Sequence, residues 1–298
     1  MHFPISGVDG PVWLPALAAF VAATVCVPAG LSGGILLLPF QMSVLGFVTP
    51  AVTPTNLLYN VFSTPGGVLR FVREHRMSWP LAATIVAGSL PGVLLGTFVR
   101  LRYLPEPRTM RLFTGAVLLW LAIRLFWSLR WAARAKTVQA PVAHAPASAL
   151  KTTSVSLARI EYVFQGRRYG FRPGPLAAVS LGAGMLFGAY GAGGNAILAP
   201  YLVSLLRLPP HTVAGATLAG TFITSLAGVC AFEGAGYLTS HAAVQPDWLL
   251  GAMFGFGGLL GAYAGAWLQR FLSEAWIKLS LGFMVFAIAL KYISAYFL

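Results

Sequence analysis

Long stretches without a charged residue constrain this chain more than any other feature. No Asp, Glu, Lys or Arg occurs between Asp9 and Arg70. Four later stretches are also free of charge, and they cover 77–99, 173–206, 208–232 and 279–290. Because an uncharged apolar run of about 20 residues can cross the hydrocarbon of a bilayer as a helix, the sequence predicts an all-α, polytopic helical membrane protein. A β-barrel would instead show short segments of alternating hydrophobicity.

The composition and charge agree with a membrane location. Of the 298 residues, 57% are hydrophobic and only 9% are charged, whereas about a quarter are charged in soluble proteins. The formal charge of +13 is better explained by basic residues in cytoplasmic loops beside anionic lipid than by nucleic acid. We therefore expect membrane lipid as a partner and no nucleic acid.

Eight apolar stretches have the length of a membrane span, and they cover 12–30, 50–72, 79–100, 108–128, 174–192, 211–232, 248–269 and 275–296. Two shorter apolar pieces, 35–46 and 196–207, follow glycine clusters. Each is too short to cross about 30 Å of hydrocarbon as a straight helix. Half-helices, re-entrant segments and short tilted spans all remain open for them.

The centre of the chain differs from both flanks. Residues 129–173 are strongly basic, and the part "AKTVQAPVAHAPASALKTTS" is rich in Ala, Pro and Ser, which is typical of a flexible linker. The following "RIEYVFQGRRYGF" alternates on both sides of Gln165-Gly166, a weak hairpin signal. We therefore divide the chain into a first transmembrane repeat (1–128), a basic cytoplasmic linker (129–173) and a second transmembrane repeat (174–298).

The two flanks are copies of one unit. Shifting the sequence by 161 residues lays 29–77 on 190–238 without a gap, so that Gly33 meets Gly194 and Pro39 meets Pro200. After an insertion, glycines at four-residue spacing also match, namely Gly88, Gly92 and Gly96 with Gly257, Gly261 and Gly265. Such spacing allows close helix packing in membranes.

The charges of corresponding loops predict that the two repeats are inverted. Loop 70–78 carries three arginines against Glu74, but its counterpart 233–247 has no Lys or Arg and contains Glu233 and Asp247. The basic loop should be cytoplasmic and the acidic one external. Counting each short piece as a crossing gives about five elements per repeat and places both termini outside. The basic loop 100–111 then lies outside as well, against the charge rule.

The glycine clusters are candidate anion sites. A half-helix that begins inside the membrane leaves backbone N–H groups unpaired and carries a partial positive charge at its start. Close helix packing is the alternative explanation for these glycines. The residues that we expect to present such groups are Ser32, Gly33 and Gly34 in the first repeat and Gly193, Gly194 and Asn195 in the second.

Each repeat continues with a row of neutral polar side chains. The positions are Asn56, Asn60 and Ser63 in the first repeat and Thr217, Thr221 and Thr224 at the equivalent places in the second. Residues at i, i+4 and i+7 share a helix face, and donors that face each other across a pseudo-two-fold axis suit an oxyanion. Interhelical hydrogen bonds, worth about 0.6 kcal/mol each in membranes, are the alternative role.

No enzymatic motif appears in the sequence. It contains no HExxH, G-x-S-x-G or Walker-type pattern, and the spacing of Cys and His gives no zinc site. The sequence therefore predicts a protein that is not an enzyme and needs no cofactor or metal. Inverted repeats with broken helices are instead typical of secondary transporters.

The doubled motifs "GLSGGILLLP" and "GAGGNAILAP", the Thr/Asn-rich span after the first, and the basic Tyr/Gly-containing stretch before the second resemble the sulfite exporter TauE/SafE family. The resemblance covers about 12–128 and 160–296. It implies a multi-pass secondary transporter of the bacterial inner membrane for sulfite, sulfonates such as sulfoacetate, or other sulfur oxyanions. The family often has three consecutive glycines. In this chain Asn195 takes the place of the last glycine in the second copy, and Ser32 precedes the glycine pair of the first copy.

The leading hypothesis is a secondary transporter that exports a small sulfur-containing anion. An anion channel with the same glycine sites and a membrane scaffold without transport are the alternatives. A coupling proton or sodium ion and a homo-oligomer both remain open at this stage.

Overall fold

The computed structural model describes residues 2–3, 5–29, 31–75, 77–134, 151–156, 158–164, 166–192, 195–239, 244–268 and 274–297. In the first half these form strands β1 (His2–Phe3) and β2 (Val8–Asp9) and helices α1 (Trp13–Cys26), α2 (Gly34–Ser43), α3 (Val52–Ser63), α4 (Pro65–Arg73), α5 (Trp79–Tyr103) and α6 (Pro107–Arg134). In the second half they form β3 (Lys151–Val155), β4 (Ile160–Phe164) and β5 (Arg167–Phe171), then α7 (Pro173–Tyr190), α8 (Asn195–Ser204), α9 (Pro210–Thr239), α10 (Trp248–Leu268) and α11 (Glu274–Phe297).

The prediction of a helical, multi-pass membrane protein is confirmed. Within the described residues, five helical segments are long and apolar enough to cross a bilayer, and they are Trp79–Tyr103, Pro107–Trp127, Thr212–Leu238, Trp248–Gly265 and Leu279–Phe297. The chain also forms two small β-sheets, one of two strands and one of three. These short strands lie outside the apolar stretches.

The order of helices repeats with the period seen in the sequence. The short helices α2 and α8 begin and end at positions that differ by 161, and each half has five elements when α3 and α4 are counted as one. The break between α3 and α4 occurs in the first half only. Pro65 explains it, because proline lacks the N–H that would continue the helix, and it stands at the first position of α4.

The predicted role of the spaced glycines in packing is confirmed. Side chains added to Gly88 and Gly96 of α5 would overlap the backbone of Ala177 and Met185 in α7. On α10, Gly257 and Gly265 lie in the same way against Ala16 and Thr24 of α1. Because the residue numbers rise together in each pair, α5 runs parallel to α7 and α1 runs parallel to α10.

Helices at equivalent positions in the two halves run antiparallel to each other. Gly115 of α6 lies against Tyr292 of α11, while Phe126, near the other end of α6, contacts Phe283 with ring centroids 5.3 Å apart. Likewise, Leu57 of α3 contacts Gly228 of α9, and Phe71 of α4 contacts Gly215, nearer the start of α9.

These directions divide the ends of the helices between two faces. The terminal face holds the starts of α1, α3, α6 and α10 and the end of α11, and Asp247 there accepts a hydrogen bond from the hydroxyl of Ser6 at 2.8 Å. The linker face holds the ends of α4 and α6, the starts of α5, α7 and α9, and strands β3–β5. Helices α3 with α4, α5, α6, α9, α10 and α11 run from one face to the other.

The two short helices complete re-entrant hairpins. Gly33, just before α2, packs against Ala23 near the end of α1, and Ser43 at the end of α2 contacts Tyr292 near the end of α11. Helix α2 thus returns to the terminal face from which α1 entered. In the second half, Tyr201 of α8 and Leu206 just after it line a pocket with Arg172, the residue before α7, so α7 and α8 form a hairpin from the linker face. Of the arrangements left open for the short pieces, the re-entrant one fits their length, because ten residues of helix rise only about 15 Å.

The central region is more structured than its composition predicts. Strands β4 and β5 form a hairpin with Gly166 at φ +74° in the turn, where the alternating pattern predicts one. Lys151–Val155, interpreted from composition as linker, instead pairs with β4 as β3, and α6 continues past 128 to Arg134. Residues 135–150 lie outside the described part of the chain.

One side chain docks this sheet on the helices. The hydroxyl of Tyr162 in β4 shares a hydrogen bond with Thr212 Oγ1 in the first turn of α9, at 3.0 Å. Burial raises the pKa of Tyr162 to about 12. This contact fixes β4 to the linker face.

Candidate functional site

A cavity of about 370 Å³ lies between the two halves. Its wall from the first half is the turn before α2 together with the end of α3 and Thr64, and its wall from the second half is Ala192, α8, the first turns of α9 and Ala262 of α10. The described lining residues include no charged side chain. Their polar members are Ser32, Tyr59, Ser63, Thr64, Thr217 and Thr221.

Five of the predicted site residues line this one cavity, and they are Ser32, Gly33, Ser63, Thr217 and Thr221. Residues from two repeats, up to 189 positions apart in sequence, thus meet in one space (221 minus 32). Gly33 precedes the first residue of α2, so the start of that helix, with its partial positive charge, adjoins the cavity. Uncharged donors and a helix start together suit a small anion.

Asn60 lies directly behind the cavity wall. Its Oδ1 accepts a hydrogen bond from the hydroxyl of Ser32 at 2.9 Å. Its Nδ2 is buried and has no hydrogen-bond partner among the described residues. A buried amide donor without a partner is costly, and its neighbour Ser32 lines the cavity.

Asn56 has a different arrangement. Its Nδ2 donates to the carbonyl oxygen of Gly34 at 2.8 Å and to that of Gly191 at 3.1 Å, while its Oδ1 accepts from Gln41 Nε2. All of its polar atoms are thus engaged with protein. The side chain joins the glycine turns of the two halves instead of facing the cavity.

The glycine turns also contact each other through Tyr190. The hydroxyl of Tyr190, the last residue of α7, donates to the carbonyl oxygen of Ile35 in α2 at 2.7 Å. Gly191 follows with φ +91°, a left-handed conformation that favours glycine. The turn after α7 is therefore held against the start of α2, which brings Ala192 to the cavity.

The remaining predicted residues fall elsewhere. The N–H of Gly34 donates to Ser32 Oγ at 3.2 Å and is not available to a ligand. Thr224 is buried and donates to the carbonyl oxygen of Gly220, outside the lining of the cavity. Gly193 and Gly194 lie outside the described residues, as does the side chain of Asn195 at the start of α8.

Tyr59 was missed by the sequence interpretation. Its hydroxyl lies beside Ser63, Ser32 and the backbone of Gly33, in the middle of the polar lining. The sequence did contain a signal, because Tyr59 is four residues before Ser63 and three after Asn56 and so belongs to the same helix face.

A second, larger groove of about 470 Å³ lies between α1, α2 and α11. Its described lining is apolar except for Ser43, Lys291 and Tyr292. The smaller cavity offers more polar groups, and the equivalent helices α3 and α9 both line it. We therefore take the smaller cavity as the candidate site for a polar ligand.

The family model described as sulfite exporter TauE/SafE matches residues 15–292. The chain belongs to this family. Relatives include the probable membrane transporter protein YunE of Bacillus subtilis strain 168, which is 23% identical over 81% of this chain and 84% of the relative. The probable membrane transporter protein y4hK of Sinorhizobium fredii strain NGR234 is 27% identical over 93% of this chain and 96% of the relative. None of the solved structures matches significantly.

Membership of the TauE/SafE family establishes the general class of the protein. The chain is a multi-pass membrane transporter and not an enzyme. A transporter of this kind has a small-molecule substrate and membrane lipid as its surroundings.

Proposed function

We propose that this TauE/SafE protein is a secondary transporter that exports a small sulfur-containing anion, such as sulfite or sulfoacetate, across the inner membrane of a bacterial cell. The observation that carries the proposal is the cavity lined from both halves by neutral donors at the start of α2. Sulfite and sulfonates present three acceptor oxygens, which hydroxyl and amide groups can satisfy without a charged side chain. The direction of export follows the family's description alone.

The proposal includes inverted repeats related by a pseudo-two-fold axis in the membrane plane. Equivalent helices related by such an axis run antiparallel, whereas an axis along the membrane normal would make them parallel. The antiparallel packing of α6 with α11 and of α3 with α9 supports inversion. Hairpins that enter from opposite faces also support it, since they meet near the cavity.

In this proposal the linker face is cytoplasmic. The sequence beside it carries eight basic residues against Glu161, and they are Arg130, Arg134, Lys136, Lys151, Arg159, Arg167, Arg168 and Arg172. The basic loop 100–111 runs against this orientation. However, α5 continues through Arg100, whose side chain is completely buried, so this charge is not in the loop. The loop still carries Arg102, Arg108 and Arg111 against Glu106, but the linker face carries the larger excess of positive charge.

Thr221 and Thr224 provide a matched test of the site. Both lie on α9 and both donate to the carbonyl oxygen four residues earlier, but only Thr221 lines the cavity. Replacing a threonine by valine keeps its shape and removes the hydroxyl. If Thr221 also binds the anion, Thr221→Val should weaken sulfite binding about tenfold, the equivalent of about 1.4 kcal/mol, whereas Thr224→Val should leave it unchanged.

Binding is measured by calorimetry on the purified protein, after a thermal-shift panel of sulfite, sulfate, thiosulfate, sulfoacetate, taurine and a carboxylate. A ligand at about 100 times its dissociation constant stabilises the folded state by about 2.7 kcal/mol. If none of the sulfur anions stabilises the wild type, the proposed substrate class is wrong. If flux in proteoliposomes does not saturate with sulfite concentration, the channel alternative is favoured.

A further inference from the structure

Arg100 is a buried charge that the candidate site does not use. It lies on α5, one turn before the end of the helix, and its side chain is 0% exposed. Its Nε donates to Thr53 Oγ1 at 2.9 Å, and its Nη1 donates to the carbonyl oxygen of Leu104. Its Nη2 is buried without a hydrogen-bond partner, and no carboxylate of the described residues forms an ion pair with it.

Such an arrangement needs a compensating charge. A guanidinium group stays protonated in proteins, and a buried charge without an ionic partner is destabilising. The carbonyl oxygen of Leu104 and the carboxyl end of α7 near Thr53 supply only partial negative charge. They leave the two N–H groups of Nη2 unused, and an ionisable residue inside a membrane domain is by default a candidate for function.

The position of Arg100 relates it to the cavity. Thr53 accepts the hydrogen bond from Arg100. Its Oγ1 lies 3.5 Å from the carbonyl oxygen of Ala189, and its backbone lies against Gly191. The next residue, Ala192, lines the cavity. One layer, formed by the start of α3 and the turn after α7, therefore separates Arg100 from the cavity. Arg100 lies on the terminal-face side of this layer.

We propose that Arg100 forms a second anion site, on the terminal-face side of the cavity, which the transported oxyanion occupies after leaving the cavity. This inference rests on the proposed function. The Nη2 group supplies two donors and the guanidinium supplies the charge, so the ligand is a small oxyanion of the class that the cavity takes. Movement of the turn after α7 away from Thr53 connects the two sites.

The test measures sulfite transport from each face separately. Right-side-out and inside-out membrane vesicles carry the wild type, Arg100→Gln, Arg100→Lys or the control Arg102→Gln, which removes an exposed arginine on the same helix. Arg100→Gln should raise the half-saturating sulfite concentration about tenfold at the terminal face and leave that at the linker face unchanged. Arg100→Lys should restore part of the difference, and Arg102→Gln should change neither value.

The proposal is overturned if Arg100→Gln and the wild type have equal half-saturating concentrations at the terminal face. It is also overturned if Arg100→Gln changes the value equally at both faces. Either result would leave Arg100 with a structural role. If Arg100→Gln does not fold, Thr53→Val serves instead. It keeps the charge but removes the acceptor that orients the guanidinium, and it should raise the terminal-face value alone. An unchanged value for Thr53→Val together with normal transport by Arg100→Lys would also overturn the proposal.

The design separates this inference from the proposed function. If the wild type does not transport sulfite, the proposed function fails. Stabilisation by sulfite, sulfate and thiosulfate is then compared between the purified wild type and Arg100→Lys, which retains the charge. Smaller stabilisation of the variant would support an anion site at Arg100, and equal stabilisation would exclude one for these ions.

Discussion

Asn56 Nδ2 donates a hydrogen bond to the carbonyl oxygen of Gly191 at 3.1 Å, across the interface of the two halves. The same amide group donates to Gly34 at 2.8 Å. One side chain of α3 therefore holds the glycine turns of both re-entrant hairpins in a fixed relation. Since a transporter must move such elements during its cycle, this side chain sets the stability of the conformation observed here.

Replacing Asn56 by alanine should destabilise the protein more than it weakens binding. The carbonyl oxygens of Gly34 and Gly191 would lose a donor, at about 1–3 kcal/mol for each buried group left unpaired. We expect Asn56→Ala to lower the melting temperature by about 5 °C or more, as measured by thermal unfolding in detergent.

Asn60→Ala is the matched control for this prediction, because Asn60 lies one turn further along α3 and, among the described residues, its side chain bonds only to Ser32. It should lower the melting temperature less and weaken sulfite binding more. If Asn56→Ala has an unchanged melting temperature but a reduced affinity for sulfite, Asn56 belongs to the substrate site, as the sequence predicted.

The sequence could predict the elements because the signals for them are local. Charge-free length predicts spans, and the 161-residue repeat predicts α2 and α8 as equivalent short helices. Whether a polar side chain bonds to protein or faces the cavity depends also on contacts with the other half of the molecule. Asn56 and Asn60 share a helix face, but Asn56 bonds to Gly191 of the other half as well as to residues of its own half, whereas the side chain of Asn60 bonds to Ser32.

Arg100 and β3 show the limits of composition. Arg100 belongs to a basic cluster in the sequence, but its side chain is completely buried and donates to Thr53 of a different helix. Residues Lys151–Val155 continue an Ala/Pro/Ser-rich stretch, but the ladder with β4 decides their conformation. Sequence distance hides both contacts, because neither produces a periodic pattern.

Close packing of α5 against α7 predicts a steep cost for side chains at Gly92. A Cβ at this position would overlap the backbone of Leu181, which cannot rotate away. Gly92→Val should therefore destabilise the protein by at least about 1–3 kcal/mol, as overpacking does. Gly182→Val on α7 is the control, since that helical glycine has no atom within 4 Å of an added Cβ. The two variants are compared by the amount of folded protein that remains in gel-filtration profiles of heated detergent extracts. Equal losses of folded protein in both variants would refute this account of the packing.

The proposed orientation predicts opposite labelling of two loops. In a Cys26→Ala, Cys230→Ala background, Glu106→Cys lies in the exposed loop before α6 on the terminal face, and Arg168→Cys lies on the exposed strand β5 at the linker face. In intact cells an impermeant thiol reagent should label the first but not the second. Labelling of both positions from outside would contradict the division into two faces, and the reverse pattern would place the linker face outside the cell.

The last prediction is that Ser63 and Thr221 bind one ligand together. Ser63 of the first half and Thr221 of the second line the same cavity, so a single small anion can contact both hydroxyls, and Thr221 donates to it once its bond to the carbonyl oxygen of Thr217 is exchanged. Ser63→Ala and Thr221→Val should each weaken sulfite binding about tenfold. Their effects should not add in the double variant, because groups that share one ligand are energetically coupled. Calorimetric affinities for the wild type, both single variants and the double variant complete the cycle. Strict additivity would indicate two separate binding positions, and loss in only one single variant would confine the ligand to one repeat.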